Sequence, residues 1–172
     1  MGIDINGISL SSSGGTTLAM NNGATAWMNV DANGIVTRPQ TPYMTAIFNG
    51  QATFYSANPV TFGTVNANVG SCWNNSTGTW TCPVAGYYLV IMGGIAGGST
   101  SGSGYTYGYP YIYKNGATYT FTHWNNYGAW DQCNLHAVVQ CAANDTITMS
   151  INGPSGWYGA GSHCFFGIAL II

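Results

Sequence analysis

The stretch GTWTCPVAGYYLV, residues 78–90, decides the fold. It holds two apolar runs of strand length, interrupted by Cys82-Pro83 and restarted at Gly86. Apolar and polar residues alternate through Thr79, Trp80 and Thr81, the period-2 pattern of a half-buried strand. Pro83 has no N–H to give to a ladder, so the first strand stops there. Gly86-Tyr87-Tyr88 opens a second run that continues through Ile91 and Met92. Neighbouring strand residues point to opposite faces, so one of Tyr87 and Tyr88 belongs in a core and the other at an outer surface.

The same grammar extends outward. From Tyr43 on, pieces such as YMTAIFNG, PVTFGTV, YTYGYPYIYKNG, ATYTFTHW, NLHAVVQCAANDTITMSING and HCFFGIALII are rich in β-branched and aromatic residues, with turn residues between them. No segment keeps a 3.6-residue apolar period, so helices are not expected. The reading is all-β, a two-sheet jelly roll of about ten strands over residues 42–172. The first forty residues differ. IDINGISL, TLAM, AWMNVD and GIVTRP are short alternating pieces separated by Asn-Gly, Gly-Gly and Asn-Asn-Gly turns, which reads as a β-hairpin arm over residues 1–41. Strands this short cannot bury themselves and need a partner surface. Pro39 and Pro42 in TRPQTP mark an extended boundary between arm and head.

Charge is the outlier of the composition. Of 172 residues, 3% are charged and none is Glu, against about 25% in an ordinary domain. A membrane helix does not account for this: the longest apolar run, CFFGIALII at 164–172, is far short of the roughly 20 residues a span needs. Disorder does not either, since 46% of residues are hydrophobic and 14% aromatic. A β-rich chain that covers much of its surface by oligomerising fits, with no membrane insertion. Two cations cannot form the basic stripe that nucleic acid requires. The four aspartates leave little for carboxylate-pair chemistry.

Catalytic and metal constellations are thin. The five cysteines are an odd number, no signal peptide is evident and no CxxC occurs, so buried thiols are expected rather than a disulfide framework or a zinc site. A bridge between Cys72 and Cys82 across a hairpin stays open. Cys164, His163 and Asp131 have the right types for a nucleophile set, but strand neighbours such as His163 and Cys164 face apart. His123 and His136 read as packed or surface residues. Calcium wants several carboxylates, and the head has only Asp131 and Asp145, the latter reading as the turn residue of AAND. No catalytic residue, metal or cofactor is expected.

Aromatic residues carry the candidate surfaces. Tyr105, Tyr107, Tyr109, Tyr111 and Tyr113 recur at two-residue spacing, which puts a tyrosine ladder on one strand face. Such a ladder suits intersubunit packing, or a stacking surface for sugars or a receptor. Two aromatic-polar loops, THWNNYGAWDQ and NGPSGWYGAGS, offer Trp124, Tyr127, Trp130, Trp157 and Tyr158 as candidate ligand or receptor contacts.

Two resemblances give these pieces a name. STGTWTCPVAGYYLV resembles the signature of the complement C1q globular head and its relatives in the tumour-necrosis-factor jelly-roll superfamily, where a Gly-aromatic-Thr-x-Pro strand leads into Gly-Tyr-Tyr. VTFGTVNANVG upstream, then IYKNG, AANDTITMSI and CFFGIALII downstream, are similar to other parts of that family in the same order. The resemblance implies a ten-stranded jelly roll assembled as a compact homotrimer, with aromatic and apolar residues around the threefold axis. Tyr87, Tyr88 and the ladder are then candidate interface residues. WMNVDANGIVTRPQTPYM resembles a linker of bacteriophage virion proteins, and TLAMNNGATAWMNVDANG is similar to the interlocked hairpins of trimeric phage fibres. Together they imply a non-enzymatic structural protein of the virion, a capsid-decoration, cement or capsid-fibre protein. Its arm would attach to major capsid or tail proteins by strand addition. The alternative is a tail-fibre-type head that binds a host surface glycan or protein.

Overall fold

The structure, a computed structural model, describes residues 3–5, 8–12, 18–22, 25–31, 33–48, 54–55, 58–96, 106–126, 131–152, 157–158 and 164–171. Their regular structure is eighteen strands, and no helix occurs among the described residues. The chain divides into two compact units, Met1–Thr41 and Pro42–Ile172.

The first unit is one antiparallel meander: β1 (Ile3–Ile5), β2 (Ile8–Ser12), β3 (Leu18–Asn22), β4 (Thr25–Val30) and β5 (Val36–Thr37), paired in chain order. Its edges are β1 and β5. Turn chemistry closes the last hairpin: Asp31 Oδ1 accepts from the Asn33 and Ile35 N–H groups at 2.8 Å each, and Gly34 takes a φ of 80°. Directly opposed residues in an antiparallel pair share a face. The pairs Ile3↔Leu10, Ile5↔Ile8, Leu10↔Met20, Met20↔Met28, Leu18↔Val30 and Val30↔Val36 therefore collect the large apolar residues on one face. Asp4, Ser9, Ser11, Asn21, Asn29 and Thr37 fall on the other. The TRPQ segment differs from the extended passage expected of it. The Thr41 N–H donates to the Arg38 carbonyl at 3.0 Å, a turn whose second position suits the fixed φ of Pro39.

The second unit is a sandwich of two antiparallel sheets. One runs β8 (Thr64–Val69), β6 (Tyr43–Ile47), β18 (Phe165–Leu170), β11 (Gly86–Ala96) and β15 (Asp131–Cys141), with β17 (Trp157–Tyr158) and β7 (Phe54–Tyr55) added at one end. The other runs β13 (Ala117–Phe121), β12 (Thr106–Lys114), β16 (Thr146–Asn152), β10 (Thr79–Thr81) and β9 (Trp73–Asn74), with β14 (Trp124–Asn126) on β12. Thirteen strands make up this unit among the described residues, five of them, β7, β9, β10, β14 and β17, only two or three residues long. Alternate residues of both sheets turn inward to one core, which joins Met44, Val90, Val139 and Phe166 to Trp80, Ile112, Ile147, Met149 and Ile151. Phe62 stacks on Phe166 at 5.4 Å between ring centres, and Trp73 and Phe48 pack at their sides.

The Cys82-Pro83 corner is where the chain changes sheets, from β10 in one layer to β11 in the other. Three devices hold it. Gly78 has a φ of 61°, and a Cβ there would run into the Val60 carbonyl. The Cys82 N–H donates to the Asp145 carbonyl (2.8 Å), while the Asn144 N–H donates to the Cys82 carbonyl (2.7 Å). The Tyr88 hydroxyl, from inside the core, donates to the Val84 carbonyl at 2.8 Å. That burial pushes the Tyr88 phenol up to about 12.

Register also fixes the two ends of the sandwich. β11 and β15 pair from Gly86↔Cys141 to Ala96↔Asp131, about 33 Å of strand. The chain enters this unit at Pro42, whose carbonyl accepts from the Leu170 N–H beside the Gly86 end. The strand ends at Ala96, Thr106, Asn126, Asp131, Asn152 and Trp157 lie at the other end.

Candidate functional site

All five cysteines are buried. Burial pushes the Cys133 and Cys164 thiols up to about 11 and the Cys82 thiol higher still, so thiolate is suppressed at neutral pH. The Cys164 thiol is thus held neutral, while His163 and the Asp131 side chain, the other members of the set considered from the sequence, lie outside the described residues. Cys72 and Cys82 are separate thiols, and Cys72 Sγ donates to the Gly70 carbonyl at 3.3 Å. Among the described residues no three of His, Cys, Asp and Glu are placed to hold a metal ion.

Asp145 anchors a polar clamp at the entry end. Its carboxylate accepts from the Asn115 side chain (2.8 Å), from Lys114 Nζ (2.9 Å) and from the Ala142 N–H (2.8 Å). These bonds hold the carboxyl well below the usual range, at about 2. The turn reading of Asp145 therefore holds, and the clamp adds something the sequence did not reveal. It joins the β12–β13 turn, where Asn115 has a φ of 51°, to the turn before β16, where Asn144 has a φ of 69°. Lys114 Nζ also donates to the Gln140 carbonyl (2.8 Å) and the Tyr119 hydroxyl to the Val138 carbonyl (2.9 Å). Both carbonyls belong to β15, the outer strand beside β11, so side chains of the opposite sheet cap part of a sheet edge.

The outer face of the seven-stranded sheet is largely apolar on β6, β18 and β11, while β15 presents exposed Asn134, His136 and Gln140 beside Val138. Tyr87 on β11 is 42% exposed, Val138 on β15 49% and Phe165 on β18 41%, and Ile91 on β11 and Tyr43 on β6 are exposed on the same face. Strand parity puts Tyr87 here and Tyr88 in the core, where it is fully buried. Tyr88, expected with Tyr87 as a candidate interface residue, is thus a core residue. An open groove of about 160 Å³ crosses the face, lined by Tyr43, Thr45, Leu89, Ile91, Gly167 and Ala169 among others. Gly93 keeps the face flat near its far end, since a Cβ there would strike the Phe165 ring and Asn134 Oδ1.

The outer face of the six-stranded sheet is aromatic. Gly108, Pro110 and Ile112 are buried beneath it, while Tyr109, Tyr111 and Tyr113 share the half-buried outer side. Tyr111 stacks on Phe121 at 5.1 Å and on Tyr113 at 5.6 Å, and Tyr109 stacks on His123 at 4.9 Å. Phe121 and His123 were not tied to the ladder in the sequence, because the pairing Tyr111↔Phe121 comes from the β12–β13 hairpin. The ladder and Tyr87 lie on opposite outer faces of the sandwich, so one flat interface cannot contain both.

The loop aromatics gather at the end away from Pro42. Trp124 sits on β14 opposite Gly108, and Trp157 and Tyr158 sit on β17 opposite Tyr55 and Phe54. Tyr107 lies on β12 opposite Asn125. Tyr105, Tyr127 and Trp130 lie outside the described residues.

Comparison with known proteins agrees with this architecture. The C1q domain family model matches residues 43–168. No curated protein matches the chain in sequence. Among solved structures, the globular domain of zebrafish complement 1qA protein is similar at a TM-score of 0.54 and 16% identity, over 77% of this chain and 98% of that one. At that identity the likeness is one of fold.

Proposed function

The chain belongs to the C1q-domain family, and from that premise we propose that it is a non-enzymatic structural protein of a bacteriophage virion. Its head is a homotrimer, and its N-terminal arm, residues 1–41, anchors it to capsid or tail proteins as a decoration, cement or capsid-fibre protein. The observation that carries the trimer is the apolar outer face of the seven-stranded sheet. Tyr43, Tyr87, Ile91, Val138 and Phe165 are all exposed on that face, and Tyr43 and Ile91 help line its groove, on a chain with 3% charge. Exposed apolar faces of this kind on soluble proteins mark association surfaces. Closed point-group symmetry then lets every copy cover the same face. The virion role is supported by the likeness of residues 27–44 to phage virion linkers. Three arms on one head act at high effective concentration, so a modest affinity per arm gives durable attachment.

A second reading has its own support. Trp124 on β14 and Trp157 and Tyr158 on β17 lie on short strands at the end of the head opposite Pro42. Aromatic residues on loops at the tip of a rigid β scaffold suit recognition of a host glycan or protein. Cryo-electron microscopy and mass spectrometry of purified particles separate the readings. The decoration reading expects high copy on heads and heads that lose heat resistance without the protein. Location on tails, with host-cell binding by the purified protein, supports the receptor reading. Absence from particles overturns both.

A further inference from the structure

We infer that the arm is completed by the arms of other copies of this chain, packed face to face through its apolar side rather than joined through strand edges. The inference rests on the trimeric head only for bringing the arms together.

The argument starts from the register of β1–β5. Every large aliphatic residue of the paired positions falls on one side of the sheet, as in Leu10↔Met20↔Met28 and Leu18↔Val30↔Val36. The other side has Asp4, Ser9, Ser11, Ala19, Asn21, Asn29 and Thr37, while Ser12 and Asn22 sit on the aliphatic side and Trp27 falls unpaired at the bulge in β4. Such sorting is the mark of a sheet with one dry face and one wet face. A dry face needs a second layer, and the Met1–Thr41 unit contains only one. Within this single layer Met20, Met28 and Val30 are only half-buried and Val36 is 54% exposed.

What covers it is constrained by charge and size. The face has no charged residue, so it offers a partner no ion pair and asks for an uncharged aliphatic surface. The same face on another copy is such a surface, and it is present wherever the protein is. Five strands about 4.8 Å apart and on average about 14 Å long give each arm a face of roughly 340 Å². That is small beside the roughly 800 Å² per partner of a standard specific interface. Arms therefore associate when the heads already hold the copies at high local concentration. Edge pairing needs no such sorting, since a strand edge is read through backbone groups.

Two measurements on the full chain test this. A Met20→Cys variant treated with a short bis-maleimide should give covalently joined chains, while Asn29→Cys, one strand along but on the polar face, should give no more than about one-tenth as much. The unmodified chain, its cysteines buried, is the blank. Hydrogen exchange needs no arm variant. Amides of residues 3–37 should exchange at least tenfold faster once the assembly is dissociated by dilution or by Val138→Asp. Equal or absent cross-linking from the two cysteines, or arm exchange unchanged on dissociation, overturns the inference. Failure of the trimeric head is read separately, as exchange in residues 86–91 and 136–141 that does not respond to dilution.

Discussion

The two outer faces of the head are both rich in large side chains, yet they use them differently. On the six-stranded sheet the rings occupy one another: Tyr111 lies between Phe121 and Tyr113, and Tyr109 lies on His123. Tyrosine hydroxyls can stay wet while the ring faces stack, so this surface is stable against solvent. On the seven-stranded sheet Tyr43, Leu89 and Ile91 line an open groove together with Gly167 and Ala169, and Val138 and Phe165 are exposed on the same face. Aliphatic surface around a groove gains nothing from water and needs another molecule to fill it. The contrast teaches that aromatic content alone does not mark an interface. What marks it is apolar surface that its own neighbours do not cover.

The sharpest way to break the comparison is to disrupt each face in turn. Val138→Asp should dissociate the assembly, since an unpaired charge buried at an interface costs about 3–5 kcal/mol, or more than 100-fold in association. Tyr111→Ser should leave the mass of the assembly unchanged and lower only the stability of the β12–β13 hairpin, by about 1 kcal/mol per lost ring pair. Sedimentation of both variants at one concentration decides this. Gly93→Val comes next. Its branched side chain must displace Phe165 and Asn134, so the head should lose about 1–3 kcal/mol and the assembly should weaken with it, read by thermal melting and native mass together.

Tyr88→Phe probes the core side of the same strand and should have a smaller effect. It leaves the Val84 carbonyl without its donor, costing about 1–2 kcal/mol and a few degrees of melting temperature, with the assembly intact. The smallest effect belongs to the entry-end clamp. Asp145 titrates at about 2 in the folded chain against an ordinary 3.8, so its contribution is full above 3.8 and is lost as pH falls toward 2. The melting temperature should decline through that window, and Asp145→Asn should remove this part of the decline.

How much of this was legible in the sequence depends on the range over which each feature is decided. The 78–90 stretch was legible because Gly78, Pro83 and the Tyr87-Tyr88 parity act within a few residues. The alternation of Tyr109, Tyr111 and Tyr113 was legible for the same reason. Which sheet the ladder belongs to was not, because that depends on β12 pairing with β16, roughly forty residues away. The clamp of Lys114, Asn115 and Asp145 was missed although KNG and AAND both read as turns: nothing local says that two turns will meet. Val138 looked like an ordinary strand residue in NLHAVVQ until the pairing with Leu89 placed its face outside. In the arm the short pieces were legible one by one. Their common dry face appears only with the register, which also contains a bulge after Met20.

The central claim is that the apolar face of the seven-stranded sheet is covered by other copies of the chain. Native mass spectrometry of the purified full chain at micromolar concentration tests it most directly. The account predicts an assembly of three 18.1 kDa chains that Val138→Asp reduces to single chains. A single 18.1 kDa species from the unmodified chain, unchanged on concentration, would contradict it.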